Sequence, residues 1–550
     1  MKIVLAEKVS PATLAILQKE PGWNVVTADQ IPAGGLPAEL ADADALIVRS
    51  AVQADATLLA SAPKLRIIGR AGVGVDNIDA AEATRRGIVV MNTPGANAVA
   101  VAELTLGLMI AMARAIPRAN ASMHAAKWDK KSLQGSELRG KTLGIVGCGR
   151  IGLEVARRAR AFGMNLIGYD PFIAPVIARE NNITLVPIDE IFSSSDFLSL
   201  HVGLTPQTEG LINKHSLAIM KKGVRIINCA RGELIVDEAL AEAIKTGHVA
   251  GAALDVFRAE PLKDSPYFEL ENVFLSPHIG GSTDEAQEAI GIQLANQVRD
   301  FLKLGVVQNA VNVASLSEEE YAEVSPYIEM ADRLGQLMGH AAASAQTAGN
   351  IESISLTYNG RLAQLKTDLI RNAAISGVLH GADGINRINA AAAAAERGIR
   401  IQEDKREHIT GGTGATLKLA IHWTRKNDGT AEQGDWVGSA TVLHGQSPRL
   451  LSYDGIDIEA ELSGTLAIIR NQDVPGVIGR IGTILGEHKL NIGNFALGRN
   501  RTPKAGAAQA LAVIQLDVPA EAQAALTSAI ADLRSVEAIN SVRLVDLGKL

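Results

Sequence analysis

Short β-branched runs alternate with helical patterns and polar turns through the first 95 residues: Lys2 to Leu5, Asn24 to Thr27, Ala45 to Val48, Leu65 to Ile68 and Gly87 to Met91. This is the βα rhythm of a parallel sheet. Ser10-Pro11 puts a hydroxyl at N-cap and a proline at N1, so the first helix is predicted to open there. A long apolar-periodic segment, Asn97 to about Ile116, predicts a helix leading into a second alternating series. That series runs through Thr142 to Val146, Asn165 to Tyr169, Phe197 to Val202, Val224 to Asn228, Val249 to Val256 and Val273 to Leu275. Another helical pattern, Asp284 to Leu304, stops at Gly305, the expected C′ residue, and is long enough to carry the chain back to the first unit.

Beyond Ser315 the texture changes. An acidic helical stretch (Ser317 to Met338), a strand (Ile354 to Tyr358), an alanine-rich helix (Ala390 to Ala395) and two more strands (Ala415 to Trp423, Val437 to Leu443) predict a third unit without a catalytic signature. From about Gly464 the pattern reads strand Thr465 to Arg470, helix Gly476 to Lys489, strand Asn491 to Gly498, turn Arg501 to Ala507, strand Ala510 to Asp517, helix Ala520 to Leu533, strand Ser541 to Asp546. That is the ferredoxin-like βαββαβ order.

At 550 residues the chain has room for about three to five such units. Lysine plus arginine (53) against aspartate plus glutamate (60) leaves −7, the wrong sign for covering phosphodiester backbones. Four Trp, six Tyr and nine Phe are too few for base-stacking platforms, so no nucleic-acid partner is expected and the cores must be aliphatic. The most apolar helical stretch, Leu104 to Ala113, falls short of the ~20 residues a bilayer span requires. No membrane partner and no export signal are read. Two cysteines, Cys148 and Cys229, fit ordinary buried thiols in a reducing cytoplasm.

Gly147-Cys148-Gly149-Arg150-Ile151-Gly152 matches GxGxxG, follows the strand Thr142 to Val146 and opens a helix. Gly147 permits the tight turn, Gly149 lets backbone approach a pyrophosphate, and Gly152 lets helix and strand pack closely. Asp170 ends the next strand, where a carboxylate can accept from ribose hydroxyls and repel a 2′-phosphate, favouring NAD over NADP. Arg231, Glu260 and His278 each follow an apolar strand, and open parallel sheets bind ligands at such carboxyl ends. Hydride removal from a secondary alcohol needs a base for the hydroxyl proton and a cation for a neighbouring carboxylate. His and Arg suit these roles, and a carboxylate beside the imidazole fixes its tautomer. No metal site is expected.

These segments, with Arg70-Ala71-Gly72-Val73-Gly74-Val75-Asp76-Asn77, make residues 1 to about 312 resemble the D-isomer-specific 2-hydroxyacid dehydrogenase family. With its C-terminal extension the chain resembles that family's long, regulated bacterial branch. The resemblance implies an α/β fold: a Rossmann-type nucleotide domain (98–287) inserted in a flavodoxin-like substrate domain (1–97 and 288–314). An α+β intervening domain (316–460) resembling an allosteric substrate-binding domain follows, then a ferredoxin-like ACT regulatory domain (464–550). It implies NAD-dependent oxidation of 3-phospho-D-glycerate to 3-phosphohydroxypyruvate, the first step of the phosphorylated route to L-serine. His278 would be the acid/base, Glu260 its partner and Arg231 the holder of the substrate carboxylate. Arg150 and Ile151 would face the pyrophosphate, Asp170 the ribose, and Cys229, Asp255, His278 and Gly280 the nicotinamide half.

Arg49, Arg70 and Asn97 resemble family substrate contacts, and Lys130, in Lys127-Trp128-Asp129-Lys130-Lys131, is a candidate phosphate clamp reaching a neighbouring subunit. Val73 stands where a Thr is frequent, and His201-Val202-Gly203 lacks the frequent His-x-Pro. Asn471, Asp473 and Asn491 resemble an amino-acid-binding ACT edge: a carboxylate and two amides suit a small polar amino acid, with L-serine the implied effector. A homotetramer is implied. The alternatives are a glyoxylate or hydroxypyruvate reductase, disfavoured by the long extension, and an NAD-sensing interaction protein, disfavoured by the amino-acid-binding terminus.

Overall fold

The first apolar runs form β1 (Lys2–Leu5), β2 (Asn24–Val26), β3 (Ala45–Val48), β4 (Ile67–Arg70) and β5 (Val89–Met91), bonded in the order β2-β1-β3-β4-β5. Every pairing is parallel, and the order is flavodoxin-like. The structure, a computed structural model, describes all residues except 317, 345–349, 383, 408–413, 428–429, 501–508, 520–521 and 549–550. β3 and β5 are buried throughout because apolar clusters cover both faces of the sheet. One cluster includes the returning helix Asp284–Leu304, whose Ile290, Leu294, Val298 and Phe301 pack with Ile3, Leu5, Ile47 and Ile67. The helix ends as its sequence predicts: Thr283 Oγ1 accepts from Ala286 N at 3.2 Å, and Gly305 is left-handed at φ 73°.

The second sheet contains β6 (Thr142–Val146), β7 (Asn165–Tyr169), β8 (Thr184–Leu185), β9 (Phe197–Leu200), β10 (Val224–Asn228), β11 (Val249–Leu254) and β12 (Val273–Leu275). Its order is β12-β11-β10-β9-β6-β7-β8, all parallel. The order reverses between β6 and β9, where a doubly wound sheet opens its ligand crevice.

The helix predicted from Asn97 to Ile116 is shorter than expected. It runs Ala98–Arg114, Ala115 turns left-handed at φ 48°, and a second helix, Ile116–His124, leaves at 64°. Pro117 accounts for the break, having no N–H to give the Ala113 carbonyl; Ser136 N takes that carbonyl instead at 2.8 Å. Among the described residues no single helix is long and apolar enough to cross a membrane.

The third sheet contains β13 (Asn350–Asn359), β14 (Arg400–Arg406), β15 (Thr416–Asn427), β16 (Thr430–Leu443), β17 (Ser447–Tyr453) and β18 (Ile456–Glu461), in the order β14-β13-β15-β16-β17-β18. The helices Glu318–Ser344 and Asp368–Val378 pack on it through Leu334, Leu337, Ile370 and Ala374. The fourth sheet, β19 (Thr465–Gln472), β20 (Asn491–Arg499), β21 (Gln509–Asp517) and β22 (Ile539–Asp546), is antiparallel in the order β20-β21-β19-β22. Helices Val477–Glu487 and Gln523–Arg534 cover one face. The predicted turn Arg501 to Ala507 and the predicted helix start at Ala520 lie outside the described residues.

The other face of the fourth sheet is not free. Leu466, Ile468, Leu511, Val513 and Val545 join Tyr453, Ile456 and Ile458 in one core. Buried Arg333 ties the same junction, its NH1 donating to Leu462 O at 2.9 Å and Gly548 O at 3.3 Å. The third unit also touches the first: Asn386 Nδ2 donates to Gly87 O at 3.0 Å and Asn389 Nδ2 to Arg85 O at 2.9 Å.

Candidate active site

Three glycines after β6 have three different surroundings. Gly147 is left-handed at φ 94°, and a Cβ there would lie 2.6 Å from His201 O. A Cβ on Gly152 would lie 2.1 Å from Gly147 O, so only glycine lets the helix Arg150–Ala161 start against β6. Gly149 has nothing within 4 Å of a Cβ, which leaves an open cradle before the helix N-terminus. Asp170 is already oriented: Cys148 N donates to Oδ2 and Phe172 N to Oδ1, each at 2.8 Å. Each oxygen keeps a lone pair for a ribose hydroxyl. Cradle, free N–H groups and fixed carboxylate fit a dinucleotide. Ile151 packs its side chain into the core, and the Arg150 guanidinium bonds the Pro94 carbonyl of the first unit.

Arg231, Glu260 and His278 follow β10, β11 and β12, neighbouring strands whose carboxyl ends step by about 5 Å. Their loops are in direct contact. A Cβ on Gly232 would lie 2.0 Å from the Phe257 carbonyl carbon, so the Arg231 turn rests on the segment leading to Glu260. Glu260 Oε1 accepts from Phe257 N at 3.0 Å, and Oε2 lies 2.7 Å from His278 Nδ1. The carboxylate accepts, so the proton sits on Nδ1 and Nε2 carries the lone pair. His278 is half-exposed and left-handed at φ 53°, a conformation that non-glycine residues keep only when their surroundings impose it.

Asp255 imposes it. Buried to 1% exposure, its carboxylate accepts from Ser276 Oγ (2.6 Å), Ile279 N (2.9 Å) and Gly280 N (2.8 Å), bracing the His278 loop from both sides. A nicotinamide contact was expected of Asp255; here both its oxygens are engaged with that loop. Asn228, also buried, braces the neighbouring turn through Ala230 N and Arg231 O. Cys229 adjoins it, its thiol pushed up to about 12 by burial; burial does the same to Cys148. Both are neutral at working pH. His201 carries an orphaned Nδ1, and burial lowers its pKa to about 4.

The cations gather on the first unit's side. Burial, then the neighbouring Arg231, lowers the Arg70 pKa; Arg49 adds to this, while Glu7 and Asp76 oppose it. Among the described residues Arg70 Nε is buried without a partner, as is Asn97 Oδ1, whose amide nitrogen faces Gly281 beside the His278 loop. Glu7 was missed in the sequence. It accepts from Arg49 N (2.8 Å), Ala51 N (3.2 Å) and Val52 N (3.1 Å), pinning the loop that presents Arg49. Glu7 closely follows β1, and the carboxyl-end rule that selected the other residues also points to it. Lys130 lies on an exposed segment, and no described contact joins it to this cluster.

The C-terminal trio does not converge within one chain. Asn471 pairs in register with Ala510, but Asn491 pairs with Asp517, seven positions or about 23 Å along β21. The helix between their strands returns the chain to the opposite end of the sheet. Asn471 is buried with an orphaned Oδ1, Asp473 pairs with Arg499 at 3.4 Å, and Asn491 Nδ2 donates to Asp517 at 2.7 Å. The three residues therefore do not form one amino-acid site within a single chain.

Residues 106–280 match the family model of the D-isomer specific 2-hydroxyacid dehydrogenase NAD binding domain, and 323–451 that of the D-3-phosphoglycerate dehydrogenase intervening domain. The D-3-phosphoglycerate dehydrogenase of Methanocaldococcus jannaschii is 40% identical, covering 91% of this chain and 92% of that protein. That of Mycobacterium leprae is 39% identical, covering 98% and 99%. Among solved structures, the TT0316 protein from Thermus thermophilus is 34% identical with a TM-score of 0.52, over 56% of this chain and 100% of that one. The NAD-dependent formate dehydrogenase from Staphylococcus aureus in complex with NAD is 30% identical with a TM-score of 0.51, over 57% and 100%.

Proposed function

The chain belongs to the D-3-phosphoglycerate dehydrogenase family of D-isomer-specific 2-hydroxyacid dehydrogenases, and we propose that it oxidises 3-phospho-D-glycerate to 3-phosphohydroxypyruvate through His278, Glu260 and Arg231. The observation that carries this reading is the 2.7 Å His278–Glu260 bond on loops packed against the Arg231 turn. Gly147, Gly149, Gly152 and Asp170 would hold NAD, which when bound accepts the hydride leaving C2.

His278 Nε2 takes the C2 hydroxyl proton as the C2–O bond becomes a carbonyl, and returns it in the reverse direction. Glu260, acceptor to Nδ1–H, stabilises the imidazolium that forms. Arg231 holds the substrate carboxylate and polarises the C2 oxygen. Arg49, Arg70 and Asn97 receive the phosphate end, with Lys130 of a second subunit as a further clamp. Initial rates with phosphoglycerate against glycerate test the assignment: faster turnover of glycerate would turn it into a hydroxypyruvate-type reductase. His278→Ala should abolish turnover while keeping NAD affinity; unchanged turnover refutes the chemistry.

The product feeds L-serine synthesis, and the C-terminal unit is read as an ACT domain with L-serine as effector. Its opposed Asn471/Asp473 and Asn491 ends support a site completed by a second chain, in keeping with a homotetramer. Titrating L-serine into the full chain while measuring heat and molar mass tests both. A reducing cytoplasm is the proposed compartment, supported by two unpaired cysteines.

A further inference from the structure

The nucleotide-binding unit does not hold Arg231 alone. Its Nη1 donates to Ala230 O at 2.6 Å, and its Nε donates across a separation of 155 residues to Asp76 Oδ2 at 3.0 Å. Asp76 belongs to the first unit, on the loop that follows β4. That loop is shaped around the guanidinium: a Cβ on Gly74 would lie 1.9 Å from Arg231 Nη2 and 2.8 Å from the Asp76 carboxylate. The next residue, Asn77, donates through Nδ2 to Arg49 O at 2.9 Å and Val52 O at 2.7 Å. One dipeptide thus touches the guanidinium proposed for the substrate carboxylate and the loop bearing the guanidinium proposed for its phosphate.

We propose that Asp76 is a positioning residue for the reaction, fixing the plane of the Arg231 guanidinium through Nε so that its remaining N–H groups face the substrate. The proposal rests on the reading of Arg231 as the carboxylate-holding cation. A guanidinium held in plane is pre-organised for the charge that shifts at the C2 oxygen in the transition state, so its misalignment appears in kcat more than in KM. Asp76 also supplies negative charge where Arg231, Arg70 and Arg49 crowd together. A lone inorganic anion must compete with that carboxylate for one guanidinium. A substrate that bridges carboxylate and phosphate sites gains several cations at once and is favoured over it.

The test is steady-state kinetics of the full-length protein with NAD and 3-phosphoglycerate for Asp76→Ala, Asp76→Asn, Asp76→Glu and Arg231→Ala, with sulfate as competing anion. Asp76→Ala should lower kcat on the order of tenfold while KM for phosphoglycerate moves less than about threefold. Asp76→Asn keeps an acceptor for Nε but not the charge; its kcat should stay within about threefold of the parent while sulfate inhibits at several-fold lower concentration. Asp76→Glu should recover most of the kcat lost in Asp76→Ala. The exposed pair should leave each melting temperature within about 2 °C. Parental kcat in Asp76→Ala overturns the proposal, as does a loss that Asp76→Glu fails to recover or that tracks a fall in melting temperature. If Arg231→Ala itself turns over, the reading of Arg231 fails; if it is dead while Asp76→Ala behaves as the parent, only the role of Asp76 fails.

Discussion

Gly149 and Gly152 lie three residues apart in one motif, yet the structure assigns them opposite sensitivities. In Gly152→Ala the new methyl would stand 2.1 Å from Gly147 O and 3.3 Å from Ile145 Cγ2, so the helix must move off β6 by roughly an ångström. Overpacking of this kind costs ~1–3 kcal/mol. At ~2–4 °C per kcal/mol for a unit of this size, the melting temperature should drop by about 2–12 °C. Gly149→Ala meets nothing within 4 Å, and its φ of −73° suits alanine, so stability should change by less than about 1 kcal/mol. Its methyl fills the cradle instead, and the dissociation constant for NADH should rise by at least roughly tenfold. Differential scanning calorimetry and NADH fluorescence titration on the same preparations separate the effects. A Gly149→Ala protein that melts early yet binds NADH as the parent does would refute the assignment of these glycines.

Asp255→Asn keeps the shape but presents an amide N–H to a cluster of donors. It should cost ~1–3 kcal/mol and lower kcat through a looser His278 loop, measured by melting and single-turnover rates; unchanged kcat would detach the brace from catalysis. His201, with a folded pKa of about 4 against an ordinary 6.5, favours folding above pH 6.5, and this contribution is lost as pH falls from 6.5 toward 4. His201→Gln should therefore lose less stability than the parent over that window, by up to ~3 kcal/mol in urea titrations, and parallel curves would exclude the effect. Cys148 and Cys229, both raised to about 12, should resist iodoacetamide at pH 7.5 in the native protein and react once it is unfolded in urea; rapid native labelling would show an open thiol.

The two parallel sheets were legible because most of their strands are apolar runs, the exposed two-residue β8 (Thr184–Leu185) being the strand not read, and their catalytic residues because each stands where such a run ends. The third sheet was harder to read for a physical reason. β14, Arg400–Arg406, is an edge strand with six of its seven residues exposed, so it carries no apolar alternation to detect. β18 does alternate, with Ile456, Ile458 and Ala460 buried, but is only six residues long and was passed over. Helix Ala98–Arg114 was read too long because apolar periodicity continues through Ala115 while Pro117 ends the hydrogen bonding. The bracing roles escaped the sequence reading: Asp255 was expected at the nicotinamide, and Asn228 was not singled out. Asp255 and Asn228 end apolar strands as catalytic residues do, and only their hydrogen bonds distinguish a support from a reactant. The opposed placement of Asn471 and Asn491 follows from strand direction, which a list of motif residues does not contain.

On the proposed roles, selectivity arises from how the two units meet. Arg49 and Arg70 come from the first unit and Arg231 from the second, and where the units meet burial, then the neighbouring Arg231, lowers the pKa of Arg70. Bringing these cations together costs repulsion, which the Asp76–Arg231 pair relieves in part. A ligand with a carboxylate at one end and a phosphate at the other supplies anions to both sides of that boundary, and the repulsion becomes attraction as the units close. Glycerate supplies only one anion. It satisfies Arg231 and leaves Arg49 and Arg70 uncompensated. The unphosphorylated acid is then discriminated against through the closed state it fails to stabilise, even where its contacts with His278 and Arg231 are the same.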